Sequence, residues 1–295
     1  MDTMMSIRQV TVIGAGSMGH QIAMLSALAG YETYLQDIEQ SSLDRAKESL
    51  NFQMGKWVTK GKIDQNSLDQ AFARLHVTTD LKEAVRETDF VIEAIVEKLD
   101  VKRELFAKLD EFAPEHAILT TNSSTIVNSK IADATNRPEK ICNMHFFFPP
   151  LVMDCVEVVK SEQTSVQTAE IAMAVSEKMN RTAVLLHKEI SGFIANRILG
   201  ALTTEAVKLY EEGYASFEDI DLICTKALNH PIGPFALMDL SGIDVAYFVH
   251  QQRFAESEDP ADLPPACIEE KVKAGELGRK TGKGWYDYPK QGVKN

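Results

Sequence analysis

Residues 145–158 read HFFFPPLVMDCVEV, and two side chains in that stretch could do chemistry. An unperturbed imidazole titrates at about 6.5, so His145 can take and return a proton near neutral pH. Glu157 is a lone carboxylate inside an otherwise apolar run, Cys155–Val159. A histidine followed by three phenylalanines also reads as a packed core residue, and this stretch alone leaves both readings open.

A second stretch, VIGAGSMGHQIA (12–23), carries G-x-G-x-x-G at Gly14, Gly16 and Gly19. The first glycine permits a tight turn, the second lets backbone approach a pyrophosphate, and the third lets helix and strand pack closely. The N–H groups of the loop and of the helix that follows, from Ala15 through Ser17 and Met18 to Gly19, then face the phosphates. Asp37 ends the next strand-like run. Its carboxylate suits the two adenosine ribose hydroxyls and repels a 2′-phosphate. No arginine follows it directly (the chain continues IEQ), so NAD is expected in preference to NADP. His20, directly after the motif, either sits near the pyrophosphate or faces solvent.

These groups need a frame. An apolar β-branched run at 10–13 ends in Gly14, and helical patterning over 17–29 follows, with Gly30 as its stop. Further strands are expected at 32–36, 76–78, 90–94, 118–120, 141–146, 155–159 and 183–186. Helices are expected at 41–60, 101–112 and 168–179. Strand and helix alternate, which argues a largely parallel sheet with helices on both faces, an α/β class. From Gly192 the chain reads almost wholly helical, at 193–210, 217–228 and 243–254, broken by NHPIGP (229–234). The expected division is therefore 1–188 and 189–295. GRKTGKGWYDYPK (278–290) reads as a loop wrapping an edge.

Composition narrows the classes. The 295 residues are 44% hydrophobic and 25% charged with a formal net charge of −12, an ordinary globular composition. An acidic chain is a poor candidate for nucleic acid or an anionic membrane surface, which need clustered Lys and Arg. A small phosphorylated ligand needs only a local patch. Cys142, Cys155, Cys224 and Cys267 form no C-x-x-C pair, so no metal site or disulfide framework is expected. No apolar run approaches the roughly 20 residues of a membrane span, and a cytoplasmic protein is the default expectation.

Several motifs in one order give the chain a strong likeness: GAGSMG (14–19), EAIVEKLDVKRELF (93–106), TTNSS (120–124), HFFFPPLVMDCVEV (145–158), GFIANRIL (192–199), EEGYASFEDID (211–221), HPIGPFALMDLSGID (230–244) and RKTGKGWYDY (279–288). Over nearly its whole length it resembles the L-3-hydroxyacyl-CoA dehydrogenase family, including bacterial 3-hydroxybutyryl-CoA dehydrogenases. The resemblance implies a Rossmann-like N-terminal domain followed by an all-α C-terminal domain that forms a homodimer. It implies NAD as cofactor and an acyl-CoA, of short chain, as substrate. It makes His145 the base and Glu157 the carboxylate that holds it, a pairing that fixes the tautomer and stabilises the imidazolium. Ser124 would bind the substrate's 3-oxygen, and Asn196 would reach the same pocket. Glu97 and Lys102 match contacts to the nicotinamide side of the cofactor, Lys280 a further contact in the tail, and Lys60 a contact to CoA, with Gln53 where the family has a serine. The plainer readings are a serine turn at a strand end for Ser124, a helix cap for Asn196, an exposed ion pair for Glu97 and Lys102, and a solvated helix end for Lys60.

The sequence departs from the family pattern at Phe148, where an asparagine usually contacts the nicotinamide side, and at Ser191, where a proline is usual. An apolar ring in place of an amide is expected to leave a polar partner unpaired, at about 1–3 kcal/mol. Two other functions remain open: a dehydrogenase of a free 3-hydroxy acid or of carnitine, which turnover of CoA thioesters separates, and a catalytically weakened NAD-binding paralogue, which Phe148 keeps in view.

Overall fold

The structure, a computed structural model, describes residues 6–289, apart from the side chain of Glu256. The chain forms two units, Met1–Phe193 and Ile194–Asn295, dividing a little beyond the expected boundary at 188.

In the first unit eight strands form one sheet: β1 (Gln9–Ile13), β2 (Glu32–Gln36), β3 (Leu75–Thr78), β4 (Phe90–Glu93), β5 (Ile118–Thr121), β6 (Ile141–Phe146), β7 (Cys155–Val159) and β8 (Thr182–Leu186). Their order is β3-β2-β1-β4-β5-β6-β7-β8. Every neighbouring pair is parallel except β6 and β7. The inner strands are apolar because both faces are covered, and their side chains alternate between two cores. In β4, Phe90 and Ile92 join one core and Val91 the other. The first core packs α1 (Gly19–Leu28), α2 (Gln40–Thr59), α3 (Gln65–Arg74) and α7 (Val166–Lys178), through residues such as Ile22, Leu50, Leu68 and Val175. The second packs α4 (Leu81–Val85), α5 (Leu99–Phe112) and α6 (Ser129–Ala132), through Val85, Phe106 and Ile131.

The second unit is helical: α8 (Ala195–Glu211), α9 (Phe217–Lys226), α10 (Pro234–Ser241), α11 (Ile243–Ser257) and α12 (Ala266–Lys273). Its core is aromatic, with Phe235 and Trp285 4.6 Å apart and Tyr210 edge-on to both. Two buried aspartates tie it together. Asp221 accepts the Phe235 and Ala236 N–H groups at the start of α10, and Asp239 accepts those of Trp285 and Tyr286. The tail expected to wrap an edge therefore inserts Trp285 into the core; Lys290 lies outside the described residues. No helix among the described residues is long and apolar enough to cross a membrane.

The expected strands and long helices are present, with two shifts. Residues 17–18 belong to the phosphate loop, so α1 starts at Gly19. The helix expected from 193 starts at Ala195, because Phe193 holds φ +47°, a left-handed conformation that no helix continues through.

Candidate active site

The phosphate loop runs from the end of β1 to α1. Gly14 holds φ +100°, and a Cβ there would lie 2.6 Å from the Ala94 carbonyl oxygen. A Cβ on Gly19 would collide with the carbonyl of Gly14, whereas one on Gly16 would meet nothing within 4 Å. Gly14 and Gly19 thus serve the fold, and the space at Gly16 lets a ligand approach the backbone. Among the described residues no hydrogen bond engages the N–H groups of Gly16, Ser17 or Met18. Asp37 accepts the Ala15 N–H at 2.7 Å and the Glu39 N–H at 3.0 Å, and a carboxylate so held keeps lone pairs for two ribose hydroxyls. The loop and Asp37 fit NAD. His20 does not face solvent. It is 7% exposed, with Nδ1 2.6 Å from the Gly16 carbonyl and Nε2 3.3 Å from Ser49 Oγ. A cavity of about 230 Å³ lies beside it, between the loop and Ser42, Arg45 and Ser49 of α2.

At the ends of β4 and β5 sits a charged cluster. Lys102, on the first turns of α5, is 1% exposed. Its Nζ is 2.6 Å from Glu93 Oε1 and 3.2 Å from Glu97 Oε2, so the pair is buried at Lys102 and exposed, at 41%, only at Glu97. Glu93 also accepts the Ile95 N–H at 2.7 Å and the Thr121 hydroxyl at 2.6 Å. Glu97 accepts from the hydroxyls of Ser123 and Thr125. Burial pushes the Glu97 carboxyl up, but the Ser123 bond and the charge of Lys102 outweigh it and leave its pKa lowered.

The antiparallel pairing of β6 and β7 sets His145 directly opposite Glu157. His145 Nδ1 lies 2.9 Å from Glu157 Oε2, and Nε2 lies 3.0 Å from Ser124 Oγ. Both members of the pair are under 5% exposed. Nδ1–H facing a carboxylate fixes the neutral tautomer with its lone pair on Nε2, which accepts the serine O–H. Phe147 and Phe193 pack on the imidazole at 4.7 and 5.4 Å. His145 is thus buried like a core residue, and its two bonds are those that a proton-transfer group would need.

The same three side chains would suit a serine nucleophile, but the N–H groups flanking Ser124 are spent. Ser123 N–H donates to Thr121 Oγ1 and Thr125 N–H to Glu97 Oε1. With both flanking N–H groups engaged, few donors remain for an oxyanion, and proton transfer is the chemistry this arrangement favours over acylation.

Other expected residues are dispersed. Asn196 is on the first turn of α8 in the second unit; Ile194 is the capping position, so Asn196 is not a helix cap. Lys280, also in that unit, donates to both Asp244 oxygens, with Nζ 2.6 Å from Oδ2. Gln53 donates to Ser49 Oγ at 3.2 Å, and Lys60 is exposed at the end of α2. Phe148 is 63% exposed, so the expected loss of a polar partner falls on the ligand side and not on the protein interior.

The sequence reading omits Glu93, Ser123, Asn143 and Phe193. Asn143 accepts both the N–H and the side-chain amide of Asn128 and donates to the Ile126 carbonyl, which fixes the loop that carries Ser124. Phe193, fully buried, packs under the imidazole. Glu93 had a readable signal, a single charge at the end of an apolar strand, the same signal that drew attention to Glu157.

Comparisons with known proteins place this geometry. Residues 9–190 match the family model of the 3-hydroxyacyl-CoA dehydrogenase NAD binding domain, and residues 192–288 match that of the C-terminal domain. The chain is 37% identical over 284 residues to the probable 3-hydroxybutyryl-CoA dehydrogenase of Bacillus subtilis, covering 96% of this chain and 98% of the relative. It is 37% identical over 292 residues to the mitochondrial hydroxyacyl-coenzyme A dehydrogenase of Homo sapiens, covering 96% and 91%. The crystal structure of (S)-3-hydroxybutyryl-CoA dehydrogenase from Ralstonia eutropha is similar with a TM-score of 0.91 at 35% identity, covering 97% of this chain and 100% of that one.

Proposed function

The chain belongs to the 3-hydroxyacyl-CoA dehydrogenase family, and we propose that it interconverts short-chain L-3-hydroxyacyl-CoA and 3-ketoacyl-CoA with His145 as its proton-transfer group. It is an NAD-dependent oxidoreductase. The observation that carries the role of His145 is the run of bonds Ser124–His145–Glu157, 3.0 and 2.9 Å long.

In the oxidising direction His145 Nε2 takes the proton of the substrate's 3-hydroxyl, and Ser124 Oγ holds the same oxygen. Glu157 stabilises the imidazolium through Nδ1–H. NAD, when bound, supplies the hydride acceptor. In the reducing direction His145 returns the proton to the 3-keto oxygen. Residues 14–19 hold the pyrophosphate, Asp37 the adenosine ribose, and Glu97 and Lys102 the nicotinamide side. The family likeness gives Asn196 a role toward substrate and Lys280 one toward the cofactor. Gln53 and Lys60 on α2 meet the CoA moiety, where Lys56 and Lys62 supply further positive charge. A homodimer through the helical unit accounts for its exposed Ile198, Leu199, Leu222, Ile223, Phe248 and Val249, since association would cover them. A cytoplasmic setting suits four cysteines that are all free.

The test follows NADH absorbance with acetoacetyl-CoA in the wild type and in His145→Ala. Turnover by the wild type and its loss in the variant, with NADH binding retained, support the reading. Silence of the wild type with acetoacetyl-CoA, alongside turnover of a free 3-hydroxy acid, would move the substrate away from CoA thioesters.

A further inference from the structure

Glu93 has no part in the mechanism above, yet it is the most deeply buried charge at the cofactor end of the sheet. It is 0% exposed and ends β4. Both oxygens are engaged: Oε1 by Lys102 Nζ at 2.6 Å and the Ile95 N–H at 2.7 Å, Oε2 by the Thr121 hydroxyl at 2.6 Å. Lys102 is shared with Glu97. Two carboxylates and one ammonium leave the cluster with one net negative charge.

The position of this charge follows from the topology. Strand order reverses at β1, which lies between β2 and β4. A dinucleotide crosses the sheet at that switch point. Asp37, after β2, takes the adenosine half, so the nicotinamide half lies over the ends of β4 and β5, where Glu93 and Thr121 stand. The nicotinamide ring is cationic when oxidised and neutral when reduced. A fixed negative charge in a poorly solvated site therefore interacts with the two forms differently.

We propose that Glu93 is a positioning residue that clamps Lys102 and, by leaving the cluster one net negative charge, biases the site toward NAD⁺ relative to NADH. This rests on the reading of Glu97 and Lys102 as the nicotinamide-side contacts. Glu93 touches neither substrate nor cofactor. Its carboxylate acts through Lys102, which would otherwise be neutralised by Glu97 alone.

The experiment measures equilibrium binding of NADH by fluorescence and of NAD⁺ by competition, in the full chain and without substrate. Glu93→Gln keeps the side-chain shape and can still accept from Lys102 and Ile95. It is expected to raise the ratio of the NAD⁺ dissociation constant to that of NADH on the order of tenfold. Thr121→Val removes one bond to Glu93 but no charge, and should leave that ratio within about twofold of the wild type. Equal weakening of both forms by Glu93→Gln overturns the bias, while leaving the nicotinamide-side placement standing. If Glu93→Gln does not fold, Glu97→Gln removes the same charge from the half-exposed member and must raise the ratio; an unchanged ratio there overturns the proposal. No effect of either substitution on either form, with wild-type binding intact, sinks the placement of the nicotinamide as well.

Discussion

Replacing Glu157 by Gln tests the proton-transfer site with little change of volume. The amide fits where the carboxylate stands, opposite His145 in the β6–β7 register. What changes is the charge that faces Nδ1 at 2.9 Å. With the two charge centres roughly 4 Å apart and an effective dielectric of about 20, the attraction that stabilises an imidazolium is about 4 kcal/mol. The amide dipole restores part of it. If the amide turns its NH₂ toward Nδ1, it also selects the tautomer with the proton on Nε2, which cannot take another. The expected fall in kcat for oxidation of 3-hydroxybutyryl-CoA is between about a hundredfold and a thousandfold. NADH absorbance gives the rates, and fluorescence gives NADH affinity, which should be within about twofold of the wild type. A variant that keeps kcat within about fivefold of the wild type would refute the reasoning. A fall in kcat accompanied by a matching loss of NADH affinity and of Tm would assign Glu157 to packing instead.

Three further outcomes follow from single sites. Phe148→Asn returns an amide to a rim position that is 63% exposed; KM for NADH should fall several-fold while Tm moves by less than about 2 °C, and unchanged KM and kcat in steady-state assays would remove Phe148 from the cofactor's surroundings. Asp110→Ala deprives Arg137, bonded at 2.7 Å and 10% exposed, of its partner, at about 3 kcal/mol, read as a lower temperature for the first unit's transition in calorimetry. Burial pushes the Asp110 carboxyl up, but its bonds from Asn136 and Arg137 outweigh this and leave its pKa lowered. Its contribution is therefore complete above the usual carboxylate range and is lost as pH falls through the lowered value, so the variant should also show a shallower acid dependence. Burial disfavours the His250 imidazolium and lowers its pKa; the unfolded chain takes that proton first, so stability falls as pH drops below about 6.5. His250→Phe should flatten the Tm of the helical unit between pH 7 and 5.5, and an unaltered slope would show that another group sets it.

The strands were legible because a strand covered on both faces is almost wholly apolar, as FVIE in β4 and QVTVI in β1 are. The long helices were legible from their period. The short ones α3, α4, α6, α10 and α12 were not assigned, although three carry readable starts, one of them Asp80, which caps α4 by accepting the Lys82 and Glu83 N–H groups. Asp64 caps α3 by accepting the Ser67 N–H, and α10 opens with Pro234 directly after Gly233. The phosphate loop could be read in full because its glycines answer to local backbone geometry. Phe193 could not, since its place beneath His145 depends on two left-handed residues in succession, Gly192 at φ +74° and Phe193 at φ +47°. Only its complete burial makes that strain tolerable.

The contrast between Glu157 and Glu93 shows what a sequence carries about a site. Each is a single acid in an apolar strand, and each proves to be buried and bonded to a basic side chain. For Glu157 the partner is on the neighbouring strand, and β6 and β7 run antiparallel, so residues 143 and 159 pair, and 145 and 157 pair. Directly opposed residues of an antiparallel pair put both side chains on one face of the sheet. The twelve-residue gap is thus a register, set by the length of the 147–154 connection, and it becomes readable once a hairpin is assumed. For Glu93 the partner is Lys102 on α5, a helix rich in charges whose other basic residues, Arg103 and Lys108, are not its partners. Nothing in period or spacing distinguishes the one lysine that turns inward. What does distinguish it is the pairing of β4 with β5, which brings Thr121 level with Glu93 and closes a polar pocket that only a cation can neutralise. A buried acid at a strand's C-terminal end therefore implies a cation nearby, before the cation can be identified.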